Sequence, residues 1–214
     1  MQITWFGLNC FKIQSKDIIL ITDPYFSKET GLKPPSLKAD IVVSGNPDGC
    51  FPSVKPLLHS EKGGEEIFCI CSPGEYERKG IFVYGIPAMS SCGAMTIYRI
   101  DAEGLNVAYL GGIDRPLDEK QLEKLNGIDI LLIPVGGDGK SVVDGRKAAE
   151  ITSQIEPRLV IPMWYKIPNL KMKLEGADKF FREMGLKPEE PADKLKILKK
   201  DLPQEETKII LLKA

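Results

Sequence analysis

The chain has 214 residues, 43% of them hydrophobic and 28% charged, as is typical of an ordinary globular protein. Its 29 basic and 30 acidic residues give a net charge of -1, which argues against a dedicated nucleic-acid binder. No apolar run approaches the roughly 20 residues of a membrane span, and the first residues, MQITWFGLNCF, do not form a signal peptide. The sequence therefore predicts a cytoplasmic protein.

The first half of the chain is predicted to form short strands. The signal is a series of apolar runs separated by polar turns and by loops rich in Gly and Pro. These strands are predicted at Gln2–Phe6, Cys10–Ile13, Ile18–Thr22, Ile41–Val43, Ile67–Cys71, Ile81–Ile86, Thr96–Ile100 and Val107–Leu110.

The second half is predicted to alternate between helices and strands, because stretches with helical spacing of apolar residues separate short apolar runs. The predicted helices are Asp118–Leu125, Asp144–Ile155 and Gly176–Met184, and the predicted strands are Ile128–Ile133, Leu159–Ile161, Lys194–Leu198 and Ile209–Leu212. Strands followed by alternating units indicate two sheets with helices packed outside, in one domain spanning residues 1–214.

Residues able to bind a metal or act as a nucleophile are scarce. The chain holds one histidine, His59, and five cysteines with irregular spacing. That spacing does not predict a disulfide framework, and small buried side chains are the simplest interpretation of the cysteines. His59 follows two leucines, which favours a surface or capping role.

Six segments, in order along the chain, carry a family resemblance. They are ITWFGLNCFKI, ITDPYF, ADIVVSGNPDG, SPGEYERKGIFVYGIP, LGGIDRPLDEKQLEKL and DILLIPVGG, and VIPMWYK follows them. In this order they resemble the metallo-β-lactamase superfamily, in particular its small, UlaG-like branch of metal-dependent hydrolases. The resemblance implies a mixed α/β fold, the four-layer αββα sandwich in a single domain, with the site at one edge between the two sheets.

The departures from the family pattern fall on its metal ligands. The resemblance places the family's histidines and aspartates, which bind one or two Zn or Mn ions, at positions that mostly carry other residues here. Those positions are Ser44, Asn46, Asp48, Gly49, Gly112 and Trp164. Only Asp48 keeps a carboxylate, and the loop AMSSCGAMT, which carries another histidine in the family, has none.

The chemistry of these replacements argues against a working metal centre. Serine and asparagine are poor ligands for first-row metals, glycine offers only its backbone, and the indole of tryptophan has no lone pair to give. We therefore expect no metal cofactor and no catalytic residues. The resulting prediction is a pseudoenzyme, a protein with a binding, regulatory or structural role. The alternative is a divergent hydrolase that acts on an ester, lactone or phosphodiester with a rebuilt or weak metal site.

Three other arrangements are weaker. Asp48, Cys50 and Cys92 could form a thiolate metal site, but three or four converging ligands are the norm. A serine nucleophile would need His59 as its base. The segment GGDGKS ends like a phosphate-binding loop, but Pro134 stands where that pattern requires its first glycine.

Two hypotheses concern what surrounds the replaced ligands. Asp23 corresponds to the family aspartate that orients a metal-bound histidine, and without a metal its charge needs a partner. We expect Arg115, at the rim, to pair with Asp23 or Asp48, and the bulk of Trp164 to fill the space of the metals. The expected partner is a small molecule or a protein, not nucleic acid or a membrane, and homo-oligomer formation stays open.

Overall fold

A computed structural model describes residues 1–25, 30–33, 37–46 and 66–214, and the backbone of 58–59. Within these residues, two β-sheets pack face to face, and a third, two-stranded parallel sheet pairs β4 (Leu37–Lys38) with β6 (Leu58–His59). Asp48, Gly49 and Cys50 lie outside the described residues, as does the side chain of His59.

The first large sheet has six strands in the order β14-β1-β2-β3-β5-β7. Its strands are β1 (Gln2–Trp5), β2 (Phe11–Ser15), β3 (Ile18–Thr22), β5 (Ile41–Val43), β7 (Phe68–Ile70) and β14 (Leu195–Lys196). Burial alternates along β1 and β2, whereas every residue of β3 and β5 is buried. Strands β3, β5 and β7 run parallel, so their carboxyl ends meet at one edge of the sheet.

The second large sheet has seven strands in the order β15-β13-β12-β11-β10-β9-β8. Its strands are β8 (Gly74–Arg78), β9 (Ile81–Ser90), β10 (Gly93–Ala102), β11 (Leu105–Tyr109), β12 (Ile130–Pro134), β13 (Leu159–Met163) and β15 (Lys208–Ile209). Strands β8 to β11 pair antiparallel, and β11, β12, β13 and β15 pair parallel. The main core lies between the two sheets and includes Trp5, Phe11, Tyr98 and Tyr109.

Three α-helices and one 3₁₀ helix lie within the described residues: α1 (Glu119–Lys124), α2 (Gly145–Ile155), α3 (Asp178–Glu183) and the 3₁₀ turn Lys199–Asp201. Side chains of α2 and α3 share a second core with the outward face of the seven-stranded sheet. Asp118 and Asp144 cap α1 and α2 by accepting hydrogen bonds from backbone N–H groups three residues on. None of the described helices is long and apolar enough to cross a membrane.

The mixed α/β fold with two sheets confirms the predicted fold class. Several elements differ from the expectation drawn from sequence. No strand was predicted at β4 or β6, which form the small parallel sheet. The segment Gly74–Arg78 is an edge strand that its polar sequence did not reveal, and the predicted loop AMSSCGAMT forms the end of the long hairpin of β9 and β10. An edge strand tolerates charged side chains because its outer edge faces solvent. Its sequence then lacks the apolar residues from which a strand is predicted.

Candidate active site

The candidate site lies where strand ends of both sheets meet. Asp23 follows β3, Ser44 follows β5, Gly112 lies three residues after β11, and Trp164 follows β13. Since β3 and β5 are parallel, as are β11 and β13 with β12 between them, the strand ends gather at one edge. The fold therefore brings together six of the predicted site residues, namely Asp23, Ser44, Asn46, Cys92, Gly112 and Trp164.

Asp23 is the centre of a hydrogen-bond network that joins the sheets. Its Oδ1 accepts hydrogen bonds from Ser44 Oγ at 2.6 Å and from the Gly45 N–H at 3.0 Å. Its Oδ2 accepts a hydrogen bond from the hydroxyl of Tyr109, on the opposite sheet. The carboxyl group is thus held by three donors, each from the protein itself.

Burial dominates the electrostatics of this network. Loss of water raises the pKa of Asp23, and the hydrogen bonds from Ser44, Tyr109 and Gly45 offset part of that rise. Burial, followed by the nearby charge of Asp23, raises the pKa of Tyr109 well above its ordinary value. The Tyr109 hydroxyl therefore stays protonated and donates to the carboxyl group.

A second set of contacts fixes the loop that begins at Ser44. The hydroxyl of Tyr98 donates to the Ser44 carbonyl at 2.6 Å, and the Thr96 N–H donates to the Gly45 carbonyl at 2.9 Å. A Cβ at Gly45 would lie 3.3 Å from the Thr96 carbonyl oxygen, so the close approach of the two backbones favours glycine there. Strand β10 thereby holds the loop against Asp23.

Trp164 occupies a backbone conformation that is unusual for its size. Its φ is 52°, in the left-handed region that bulky residues rarely adopt. The N–H of Gly136 donates to its carbonyl at 3.0 Å, which ties this turn to the end of the neighbouring strand β12. The left-handed region is several-fold enriched in histidine, the residue that the family pattern carries at this position.

A cavity of about 550 Å³ opens beside these residues. Its walls include Asn9, Asp23, Gly45, Met95, Gly112 and Trp164. Trp164 also packs in part against the core between the sheets. The prediction that Trp164 fills the space is therefore wrong, because the indole forms one wall and leaves the cavity open.

Arg115 does not neutralise Asp23. Its Nε donates to Oδ1 of the neighbouring Asp114 at 2.8 Å, and about half of the Arg115 side chain is exposed. The pairing of Arg115 with Asp23 is thus wrong, because Arg115 pairs with Asp114 and the described contacts of Asp23 are all with uncharged donors. The alternative partner, Asp48, lies outside the described residues. Asp114 itself is fully buried and also accepts the Ser91 N–H, which anchors the β9–β10 turn at the rim.

The cysteines differ in their surroundings. Cys10 and Cys69 are free and at least partly buried, and Cys92 is a free, exposed thiol at the cavity. Cys71, in contrast, is disulfide-bonded. The interpretation of all five cysteines as small buried side chains is wrong for Cys71 and Cys92.

Sequence reasoning did not find three residues of the site. Asn9, Tyr109 and Met95 contribute an amide, a hydroxyl and a thioether to the network or the cavity. Tyr109 ends an apolar strand run and looks like core from sequence alone. The turn that carries Asn9 was noted only as part of the family pattern GLNCF.

The sequence model of the beta-lactamase superfamily domain matches residues 2–164. The chain belongs to this superfamily. A relative in Salinibacter ruber, named UPF0173 metal-dependent hydrolase, is 26% identical over 86% of this chain and 94% of its own length. One in Archaeoglobus fulgidus with the same name is 25% identical over 87% of this chain and 93% of its own.

Solved structures of the superfamily agree with this assignment. A metallo-beta-lactamase superfamily protein from Thermotoga maritima matches with a TM-score of 0.80 and 25% identity, over 99% of both chains. A metallo hydrolase from Ignicoccus hospitalis matches with a TM-score of 0.65 at 19% identity, which shows the shared fold. The resemblance to the metallo-β-lactamase superfamily is therefore confirmed.

These relatives correct one expectation. We expected no metal cofactor, whereas the curated relatives are named metal-dependent hydrolases, so the superfamily implies a metal ion. The described residues at this edge do not fit such an ion. Asp23 is the one carboxylate among the described residues of the cavity, Ser44 and Gly112 offer no strong ligand, and no cluster of three His, Cys, Asp or Glu side chains occurs in the described part of the chain.

Proposed function

We propose that this chain is a binding protein on the metallo-β-lactamase fold, in which the edge cavity holds a small molecule without hydrolysing it. The observation that carries the proposal is the pair Ser44–Asp23. The carboxylate that orients a histidine in the family here accepts the hydroxyl of the serine that occupies a ligand position. The aspartate and the serine suit one another as acceptor and donor, so this hydrogen bond forms without a histidine.

The backbone around the cavity supports the idea that the metal ligands were replaced while the backbone of the family site was kept. Trp164 keeps a left-handed φ that suits histidine better than tryptophan. A Cβ at Gly112 would contact only the side-chain nitrogen of Asn9, at 3.8 Å, so the space for a larger side chain is still present. Ser44, Asn46, Gly112 and Trp164, together with Asp48 and Gly49 outside the described residues, are proposed as the replaced ligand positions.

The names of the relatives favour a second candidate function. They support a metal-dependent hydrolase. The second candidate is therefore a divergent hydrolase with a rebuilt or weak metal site, for which the family resemblance suggests an ester, lactone or phosphodiester substrate. The two candidates differ in one measurable property, which is hydrolysis that depends on added metal.

The test compares the natural chain with a variant that restores the family residues, S44H/N46H/G49H/G112D/W164H. Both are assayed against a phosphodiester, a lactone and an ester with and without Zn²⁺ or Mn²⁺. The natural chain should stay at background, and the variant should gain metal-dependent turnover. An E150H variant, with its histidine on the exposed face of α2, controls for histidine alone. Metal-dependent turnover by the natural chain would overturn the proposal in favour of the hydrolase.

A further inference from the structure

The described lining of the cavity carries an acidic group and no basic one. Among the described residues that line it, Asp23 is the sole ionisable group besides the thiol of Cys92, and none is lysine or arginine. Two basic side chains of neighbouring segments bond elsewhere: Arg115 pairs with Asp114, and Lys147 Nζ donates to the Gly139 carbonyl at 2.6 Å. A carboxylate in such a site attracts a cation and repels an anion.

The same end of the cavity offers further acceptors. The side-chain oxygen of Asn9 is buried and has no hydrogen-bond partner in the described part of the chain. A carboxylate has about four lone-pair sites, and those of Asp23 receive three donors. A buried acceptor without a donor is unfavourable, so a ligand that brings N–H groups is favoured here.

Other lining residues suit the apolar part of a cationic ligand. Trp164 brings a large aromatic ring to the cavity, and Met95 adds a polarisable thioether. At about 550 Å³ the cavity is within the size range of small-molecule sites. Acceptor oxygens and an aromatic surface in one cavity are a combination that can recognise an alkylammonium group.

We propose that the cavity binds a small organic ammonium ion, whose N–H groups bond to Asp23 and Asn9 while its carbon chain lies against Trp164. The inference rests on the proposed binding function and names the class of ligand for that same site. It favours an ammonium ion over a carboxylate or phosphate, because the described walls carry a carboxyl group and no lysine or arginine.

The test uses three probes of similar shape and different charge: n-butylammonium, n-butanol and butyrate. Each is titrated into the full chain at mildly alkaline pH, which favours the carboxylate while primary amines remain protonated. Binding is followed by calorimetry and by the indole N–H resonance of Trp164, assigned with W164F. The ammonium should bind roughly tenfold or more tightly than either analogue, as expected for a charge-assisted hydrogen bond.

Variants assign that preference to the cavity. D23N should lower ammonium affinity about tenfold, and N9L should lower it less, which keeps the test valid if D23N fails to fold. D101N, whose carboxylate pairs with Arg99 away from the cavity, should bind as the natural chain does. Equal binding of the three probes, or ammonium binding unchanged in N9L and in a folded D23N, would overturn the proposal.

The two proposals fail in different ways. If the chain shows no preference for the ammonium probe and no metal-dependent hydrolysis, the ammonium ligand is rejected. The proposal of a binding protein then stands, with a ligand of another class. Metal-dependent hydrolysis by the natural chain removes the binding function itself, whatever the amine titration gives.

Discussion

Ser44 Oγ donates a 2.6 Å hydrogen bond to Asp23 Oδ1 across the ends of two neighbouring parallel strands. The backbone reinforces this contact, because the Asp23 N–H donates to the Val43 carbonyl at 3.0 Å. Ser44, which we propose as a replaced ligand position, is thereby part of a structural network.

The protonation of Asp23 should make stability depend on pH. Because burial raises its pKa above the ordinary 3.8, the native state keeps a proton that the unfolded state releases. The free energy of unfolding should therefore fall as the pH rises from about 4 towards the raised pKa. Urea unfolding of the natural chain and of D23N, over a series of pH values, measures this. The stability advantage of the natural chain over D23N should shrink with rising pH, and an advantage that grows would contradict the assignment.

Removal of the Tyr98 hydroxyl should destabilise the site loop. That hydroxyl donates to the carbonyl of Ser44 at 2.6 Å, just after β5, and to the carbonyl of Ile70 at 3.2 Å, on β7 of the opposite sheet. Y98F leaves the Ser44 carbonyl without this donor, whereas the Ile70 carbonyl keeps the Ser44 N–H at 2.9 Å. We therefore expect a loss of about 1–3 kcal/mol in the free energy of unfolding. Y84F, on the neighbouring strand β9, is the matched control and should cost less. Equal losses for the two variants would show that the hydroxyl of Tyr98 contributes nothing specific.

The strand that leads into the site could be predicted from sequence, and so could the approximate place of the site. Ile41–Val43 is an uninterrupted apolar run, which a strand buried on both faces requires, and the structure places it within the first sheet. The family pattern then located Ser44 and Gly112 at strand ends. Ser44 donates a hydrogen bond to Asp23, and Gly112 lines the same cavity as Asp23, although Ser44 and Gly112 are more than sixty residues apart in sequence.

The pairing of charges could not be predicted in the same way. Arg115 was assigned to Asp23 because a buried charge needs a partner, yet Asp114 takes the guanidinium and Tyr109 supplies the third donor to Asp23. Which side chains meet depends on the register of β10 and β11 in the opposite sheet. That register follows from the packing of both sheets, which one strand's sequence does not encode.

The buried carboxylate of Asp114 should control access to Cys92. Although burial raises its pKa, the hydrogen bonds from Arg115 and Ser91 outweigh that effect and hold the pKa below its ordinary value. D114N removes the charge that orders the turn, so Cys92 should react several-fold faster with a thiol reagent such as dithionitrobenzoate. D101N on the same hairpin is the control. If D114N leaves the rate unchanged while D101N raises it, Asp114 does not order this turn.

Glu156 marks backbone strain that a single substitution should relieve. It ends α2 with φ 51° and ψ 51°, the left-handed conformation, and Pro157 follows it. A side chain costs about 1–2 kcal/mol in this conformation, and glycine avoids that cost. E156G should therefore raise the free energy of unfolding by about 1 kcal/mol, as measured by urea denaturation.

The matched control for Glu156 is the same substitution six residues earlier in the chain. Glu150 is an exposed residue within α2, where it pairs with Arg146 at 3.2 Å. Glycine in a helix interior costs about 1 kcal/mol relative to good helix formers, so E150G should destabilise the chain. Opposite signs for the two glycine substitutions would assign the effect to the left-handed backbone at Glu156. If both destabilise by the same amount, the helix end carries no strain that glycine can release.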